Sequence, residues 1–193
     1  MRTNGLKAWF LAARPKTLTG AAAPVIMGGA LAFQYVGHLN CLPFLLCLLF
    51  AFVMQIDSNL INDYFDFRKG TDREDRLGPE RACAQGWVTP KAMRVAIVLT
   101  TSLACLLGLP LIFWGGYKLI LVGALCVLFC FLYTTCLSYR GYGDLLVLVF
   151  FGIVPVCMTF FVLAECITWQ VFIASVACGL AIDCLLMVNN YRD

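Results

Sequence analysis

Charged residues are sparse and clustered along this chain, and the apolar runs between them set the architecture. Six stretches carry no charge at all: Thr17–Gly37, Leu39–Ile56, Val95–Tyr117, Leu119–Tyr139, Leu145–Ala164 and Cys166–Ile182. Most approach or exceed the roughly 20 residues a helix needs to cross a bilayer. The second continues to Asn62 with Asp57 as its only charge, and the sixth to Tyr191 with Asp183 as its only charge. The pattern predicts an all-α fold, a polytopic transmembrane helix bundle with six spans in the lipid bilayer. Pro43 suits the first turn of the second helix, and Pro24 is a candidate kink in the first. Gly20, Ala21 to Ala23, Gly28, Gly29 and Ala30 make the first helix small-faced, which lets neighbours approach closely.

Two polar segments frame these helices. Residues 1–16 read as a short basic amphipathic segment at the membrane interface, with Trp9 and Phe10 dipped in and Lys7 out. Arg14-Pro15-Lys16 then turns the chain into the first span. Residues 67–90 form the longest polar loop, with mixed charges that suit a structured or lid-like element. The whole of 1–193 reads as one membrane-embedded domain. The first apolar run lacks a small-residue cleavage site and reads as part of the bundle, not as a signal peptide.

Composition narrows the class. The chain has 193 residues, 62% hydrophobic and 13% charged, too apolar for a soluble domain of this size. The net charge of +3 says little, but its distribution sets an orientation. With a cytoplasmic N-terminus and six spans, only Lys118 of the 14 Lys and Arg falls outside. That parity places the ends of the second and sixth helices on the same cytoplasmic face. The expected location is the cell inner membrane, multi-pass, with no nucleic acid among the partners. Eleven cysteines invite a disulfide or zinc reading. Most lie inside spans and none forms a C-x-x-C pair, so they read as small apolar packing residues.

The candidate chemistry sits at those two helix ends. In SNLINDYFDFRKG, Asn59 and Asp63 are spaced i, i+4, and Asp66 follows three later. On a helix Asp63 and Asp66 lie about 4.5 Å apart along the axis, on neighbouring faces. Such oxygens suit one Mg²⁺, a hard cation. Arg68, Lys69 and Arg73 follow within about two turns and are donors for a polyphosphate. The closing NNYRD repeats the theme, with Asn189 and Asp193 again at i, i+4. Opposite Asp63 and Asp66, Asp193 would hold a second Mg²⁺, and two metals would neutralise a departing diphosphate. Spacing alone leaves an ordinary polar helix end open, and a basic loop also follows from topology.

Taken together, these strings resemble the UbiA superfamily of intramembrane prenyltransferases, and within it the menaquinone branch that prenylates 1,4-dihydroxy-2-naphthoate. The resemblance rests on RPKTL (Arg14 to Leu18), NLINDYFDFRKGTD (Asn59 to Asp72), DRLGPERA (Asp75 to Ala82), YRGYGDLLVLVFFG (Tyr139 to Gly152) and NNYRD (Asn189 to Asp193). It implies about nine spans around a central cavity and two aspartate motifs holding Mg²⁺ and a polyprenyl diphosphate. Carried over by position, Asn59, Asp63 and Asp66 form the first motif, with Asp72 in the loop. Arg68 and Lys69 contact the diphosphate. Asp193 begins the second motif, supported by Asn189, Asn190 and Arg192. Lys16 and Tyr139 or Arg140 face the cavity mouth. The implied reaction makes an allylic cation that the dihydroxynaphthoate ring attacks, and loss of the carboxylate leads to demethylmenaquinone.

Three departures accompany the resemblance. The place of a third motif acid is Gly70, and the acid is Asp72, as in the menaquinone branch. Asp57 and Asp183 are extra acids within spans with no assigned role. Only the first Asp of the second motif is present, and about three helices are missing, so the sequence reads as an N-terminal portion with no or very weak turnover alone. Outside this class, a small cation transporter or channel remains open. So does a phosphatidyl-alcohol transferase, although its D-x-x-D-G pattern is not met at Phe67. Other aromatic acceptors share the motif logic.

Overall fold

A computed structural model describes residues 2–70, 80–133 and 143–192 of the chain, with backbone alone at positions 186 and 188–192. Among the described residues every regular element is helical. They are α1 (Leu6–Ala13), α2 (Leu18–Val36), α3 (Cys41–Lys69), α4 (Pro90–Gly108), α5 (Ile112–Gly115), α6 (Lys118–Leu132), α7 (Gly143–Val147), α8 (Val154–Ala164) and α9 (Trp169–Arg192). A 3₁₀ turn (Pro15–Thr17) joins α1 to α2, another (Leu109–Leu111) joins α4 to α5, and a π-helical segment (Leu148–Ile153) joins α7 to α8.

Among the described residues four helical units are long and apolar enough to cross a membrane: Leu6–Val36, Cys41–Lys69, Pro90–Gly115 and Gly143–Ala164. The fourth and sixth predicted spans correspond to the shorter apolar helices Lys118–Leu132 and Trp169–Leu185. Exposed Leu103, Leu106, Phe113, Leu121 and Ile173 stud the outer surface, as expected where lipid is the solvent.

The backbone turns where the sequence provides for it. Arg14 takes a left-handed conformation (φ 51°) and breaks the chain between α1 and the 3₁₀ turn. Gly70 (φ 68°) caps α3, its N–H donating to the carbonyls of Asp66 and Phe67. Consequently α3 runs to Lys69, and Phe67, Arg68 and Lys69 are helical, not the start of the 67–90 loop. Pro24 is buried inside α2, and Pro43 sits in the first turn of α3 as expected.

Packing centres on α3, which contacts α4, α2, α6, α8 and α1. The small face of α2 meets α8: a Cβ on Gly28 would fall 2.6 Å from the Val156 carbonyl oxygen. Gly152 of the π-helical segment and Gly179 of α9 approach backbone to backbone in the same way. At the end of α3 the N-terminal segment is not a free interfacial strip. Ala8 and Ala12 of α1 are buried against Leu60, Ile61 and Tyr64, together with Val88, Met93 and Ile97, while Trp9 packs at the edge. Phe10 stays exposed. Asn4 ties this segment down: its N–H donates to the Trp87 carbonyl (2.8 Å) and its Oδ1 accepts from the Thr89 N–H (3.0 Å).

Candidate active site

About the last four turns of α3 carry a polar stripe. Gln55, Asn59, Asp63 and Asp66 recur at spacings of four, four and three along the helix, and Asn62 lies three after Asn59 and four before Asp66, which places them on one face. Gln55, Asn59 and Asp63 are all buried, and Asp63 is 1% exposed. Polar groups at such depth persist only when bonded.

Asp63 is satisfied by backbone. Its Oδ2 accepts from the Ala82 N–H (2.7 Å) and its Oδ1 from the Cys83 N–H (2.9 Å). These two amides open a tight turn in which the N–H groups of Trp87 and Val88 both donate to the Ala82 carbonyl. A carboxylate accepting from two backbone N–H groups is a charge-assisted arrangement. It pins residues 80–88 over the polar end of α3.

Asp66, one turn on, is more open. Its Oδ2 pairs with Arg81 at 2.7 Å, with side-chain exposures of 15% for Asp66 and 8% for Arg81. Arg81 did not stand out in the sequence, where it is one cation of a charge-rich loop. Its significance lies in the fold, because the Asp63 anchor delivers the neighbouring guanidinium to Asp66.

Asn59 acts as a tether. Its Nδ2 donates to the Ala13 carbonyl (3.0 Å) and to Thr17 Oγ1 (2.9 Å), joining α3 to the turn after α1. Lys16 is exposed in that same turn, so the structure brings its segment to the site. Arg68 and Lys69 are exposed in the final turn of α3, and the Arg68 guanidinium lies 6.0 Å from the Tyr64 ring centroid, within cation–π range. Asp72, Tyr139, Arg140 and Asp193 lie outside the described residues. Asn189, Asn190 and Arg192 fall in the last turns of α9, where only backbone is described.

The two unassigned acids now have surroundings. Asp57 is fully buried on α3, where it accepts from Thr100 and from Thr101 (2.7 Å) on α4. It is a helix–helix bond inside the bundle, away from the polar stripe. Asp183 is buried on α9, and its Oδ1 has no hydrogen-bond partner among the described residues. Among the described residues no disulfide joins two cysteines, and seven cysteines are buried or half-buried among their neighbours, in keeping with a packing role.

A cavity of about 720 Å³ lies beside the deep end of the stripe. Its wall is mainly apolar, with Phe50, Met54, Phe150 and Met158 among its residues, and Gln55 and Ser58 supply polar groups from α3. The stripe thus joins an apolar chamber at one end to a charged helix terminus at the other.

Among the described residues no three His, Cys, Asp or Glu side chains converge as a metal cluster. The oxygens present nonetheless fit a hard cation. A carboxylate has about four lone-pair sites, so the two amide bonds leave Asp63 acceptor capacity, and Asp66, paired with Arg81, adds a second carboxylate one turn on. The donor set is all oxygen, with no soft ligand among the stripe residues.

The sequence profile of the UbiA prenyltransferase family matches residues 21–193. The chain is similar to the 1,4-dihydroxy-2-naphthoate octaprenyltransferase of Escherichia coli (strain K12), at 38% identity over 97% of this chain and 63% of that protein. It is similar to proteins of the same description from Mycobacterium tuberculosis (strain ATCC 25618 / H37Rv), at 38% identity over 96% of this chain and 64% of the relative, and Haemophilus influenzae (strain ATCC 51907 / DSM 11121 / KW20 / Rd), at 33% identity over 100% and 66%. The chain therefore spans slightly under two thirds of the length of these relatives. With the profile covering most of its residues, the chain belongs to the UbiA prenyltransferase family.

Proposed function

We propose that the protein transfers a polyprenyl group from a polyprenyl diphosphate to 1,4-dihydroxy-2-naphthoate, with loss of the carboxylate, to give demethylmenaquinone. The observation that carries this reading is the junction on α3 of an oxygen-rich, charged helix end with an apolar chamber of about 720 Å³. A prenyl diphosphate has that same division, with an anionic head and a hydrocarbon tail. The relatives named for dihydroxynaphthoate support the choice of acceptor.

In this reading Mg²⁺ is held by Asp63 and Asp66, with Asp72 and Asp193 as further ligands. When bound, the metal would offset the charge that builds on the diphosphate as it leaves. Arg68, Lys69 and Lys16 bind the anionic head, joined by Tyr139, Arg140, Asn189 and Arg192. Arg81 adds a cation beside Asp66. The apolar chamber excludes water from the allylic centre. The site faces the cytoplasm in a cell inner membrane, by the charge asymmetry of the loops.

The experiment is transfer itself. Membranes containing the chain are incubated with Mg²⁺, a polyprenyl diphosphate and 1,4-dihydroxy-2-naphthoate. The expected outcome is a prenylated, decarboxylated naphthalene product that requires both substrates, formed at most weakly by residues 1–193 alone and fully by a protein of its relatives' length. Mg²⁺-independent ion flux in liposomes, with no prenylated product, would overturn the reading.

A further inference from the structure

Gln55 is the deepest member of the polar stripe and the least explained. Its residue is 9% exposed, it lines the apolar cavity, and its Oε1 is buried with no hydrogen-bond partner among the described residues. Its amide orientation is fixed by its neighbours. The Thr17 hydroxyl donates its single proton to the Arg14 carbonyl (2.9 Å), so towards Gln55 it can only accept. Asn59 Oδ1 likewise can only accept. The Gln55 Nε2 donates to both, at 3.3 Å to Thr17 and 3.5 Å to Asn59. Turning the amide over would set its oxygen against two acceptors. The carbonyl oxygen therefore points away from this cluster, and a buried amide oxygen without a donor is costly. The cavity is the place from which a donor can come.

We infer that Gln55 Oε1 is the acceptor for a phenolic hydroxyl of the aromatic substrate, and so a specificity-determining residue that selects a hydroxylated ring in the cavity. The inference rests on the reading of the chain as an aromatic prenyltransferase. The position suits it: Gln55 lies eight residues before Asp63, about 12 Å deeper along α3. An aromatic ring held there lies on the chamber side of the diphosphate end, next to Ser58 and Met54. A site that bonds a hydroxyl rejects the analogue lacking it far more strongly than an apolar pocket does.

The test is binding by the full chain in lipid nanodiscs under anaerobic conditions. The probes are 1,4-dihydroxy-2-naphthoate and its 1,4-dimethoxy analogue, with Mg²⁺ and farnesyl diphosphate titrated in the same preparation. The expected result is about ten-fold tighter binding of the dihydroxy compound. In Gln55→Leu that preference shrinks to within about two-fold, while Mg²⁺-dependent diphosphate binding is unchanged. A preference that survives in Gln55→Leu would overturn the inference, as would equal loss of both ligands. Should Gln55→Leu fail to fold, the ¹³C resonance of the Gln55 side-chain carbonyl in the unaltered chain decides. It is expected to move with the dihydroxy compound and not with the dimethoxy one, and no movement overturns the assignment. If neither naphthoate binds, the inference falls. Diphosphate binding in that same sample then reports separately on the family reading.

Discussion

Asp63 Oδ2 accepts the backbone N–H of Ala82 at 2.7 Å, nineteen residues away across the end of α3. With the matching bond from Cys83, this makes Asp63 a structural anchor for residues 80–88 as well as a candidate metal ligand. Asp63→Asn replaces one accepting oxygen with an amide NH2, which donates and cannot accept. Loss of a charge-assisted buried bond costs about 1.5–3 kcal/mol. The expected outcome is faster amide hydrogen exchange at Ala82 and Cys83, with α4 and α8 unaffected. Asp66→Asn leaves both amides bonded and should leave their exchange unchanged.

Asp57 offers a prediction about the bundle itself. Its carboxylate is satisfied by the hydroxyls of Thr100 and Thr101. Removing the donors alone strands a buried acid, whereas removing both sides together does not. Thr100→Val with Thr101→Val is therefore expected to destabilise the chain by about 1–3 kcal/mol. Adding Asp57→Leu should recover part of that loss. Thermal unfolding in detergent measures the order, and a triple variant less stable than the double one would contradict it.

Close backbone contact between the π-helical segment and α9 leaves no room for a side chain at Gly152. The obstacle is Gly179 backbone, which has no flexible end to move aside. Gly152→Ala is expected to cost about 1–3 kcal/mol, measured as a lower midpoint of thermal unfolding. Gly20→Ala, where a Cβ meets nothing within 4 Å, is the control and should be neutral.

The parts legible in the sequence were those with a local signature. Absence of charge located the helices, and the i, i+4 spacing put Asn59 and Asp63 on one face. The small residues of α2 announced a close crossing, which Gly28 provides. The α3 boundary was set too early because polar side chains begin before the helix ends; Gly70, which adopts the left-handed cap, is the better marker. Arg81 and Gln55 carried no local signal. Arg81 matters because a turn anchored by Asp63 brings it to Asp66. Gln55 extends the Asn59–Asp63–Asp66 stripe by one turn, and its four-residue spacing from Asn59 was the available clue. Asp57 could not be explained without α4, whose threonines are 43 and 44 residues away.

The central claim is that the polar end of α3 holds a diphosphate through Mg²⁺. Its most direct test is calorimetric titration of the nanodisc-embedded chain with farnesyl diphosphate, in Mg²⁺ and then in EDTA, for the unaltered chain and Asp66→Asn. The account predicts that chelation and Asp66→Asn each weaken binding by more than about ten-fold, or 1.4 kcal/mol. Equal affinity with and without the metal, or in the unaltered chain and Asp66→Asn, would contradict it.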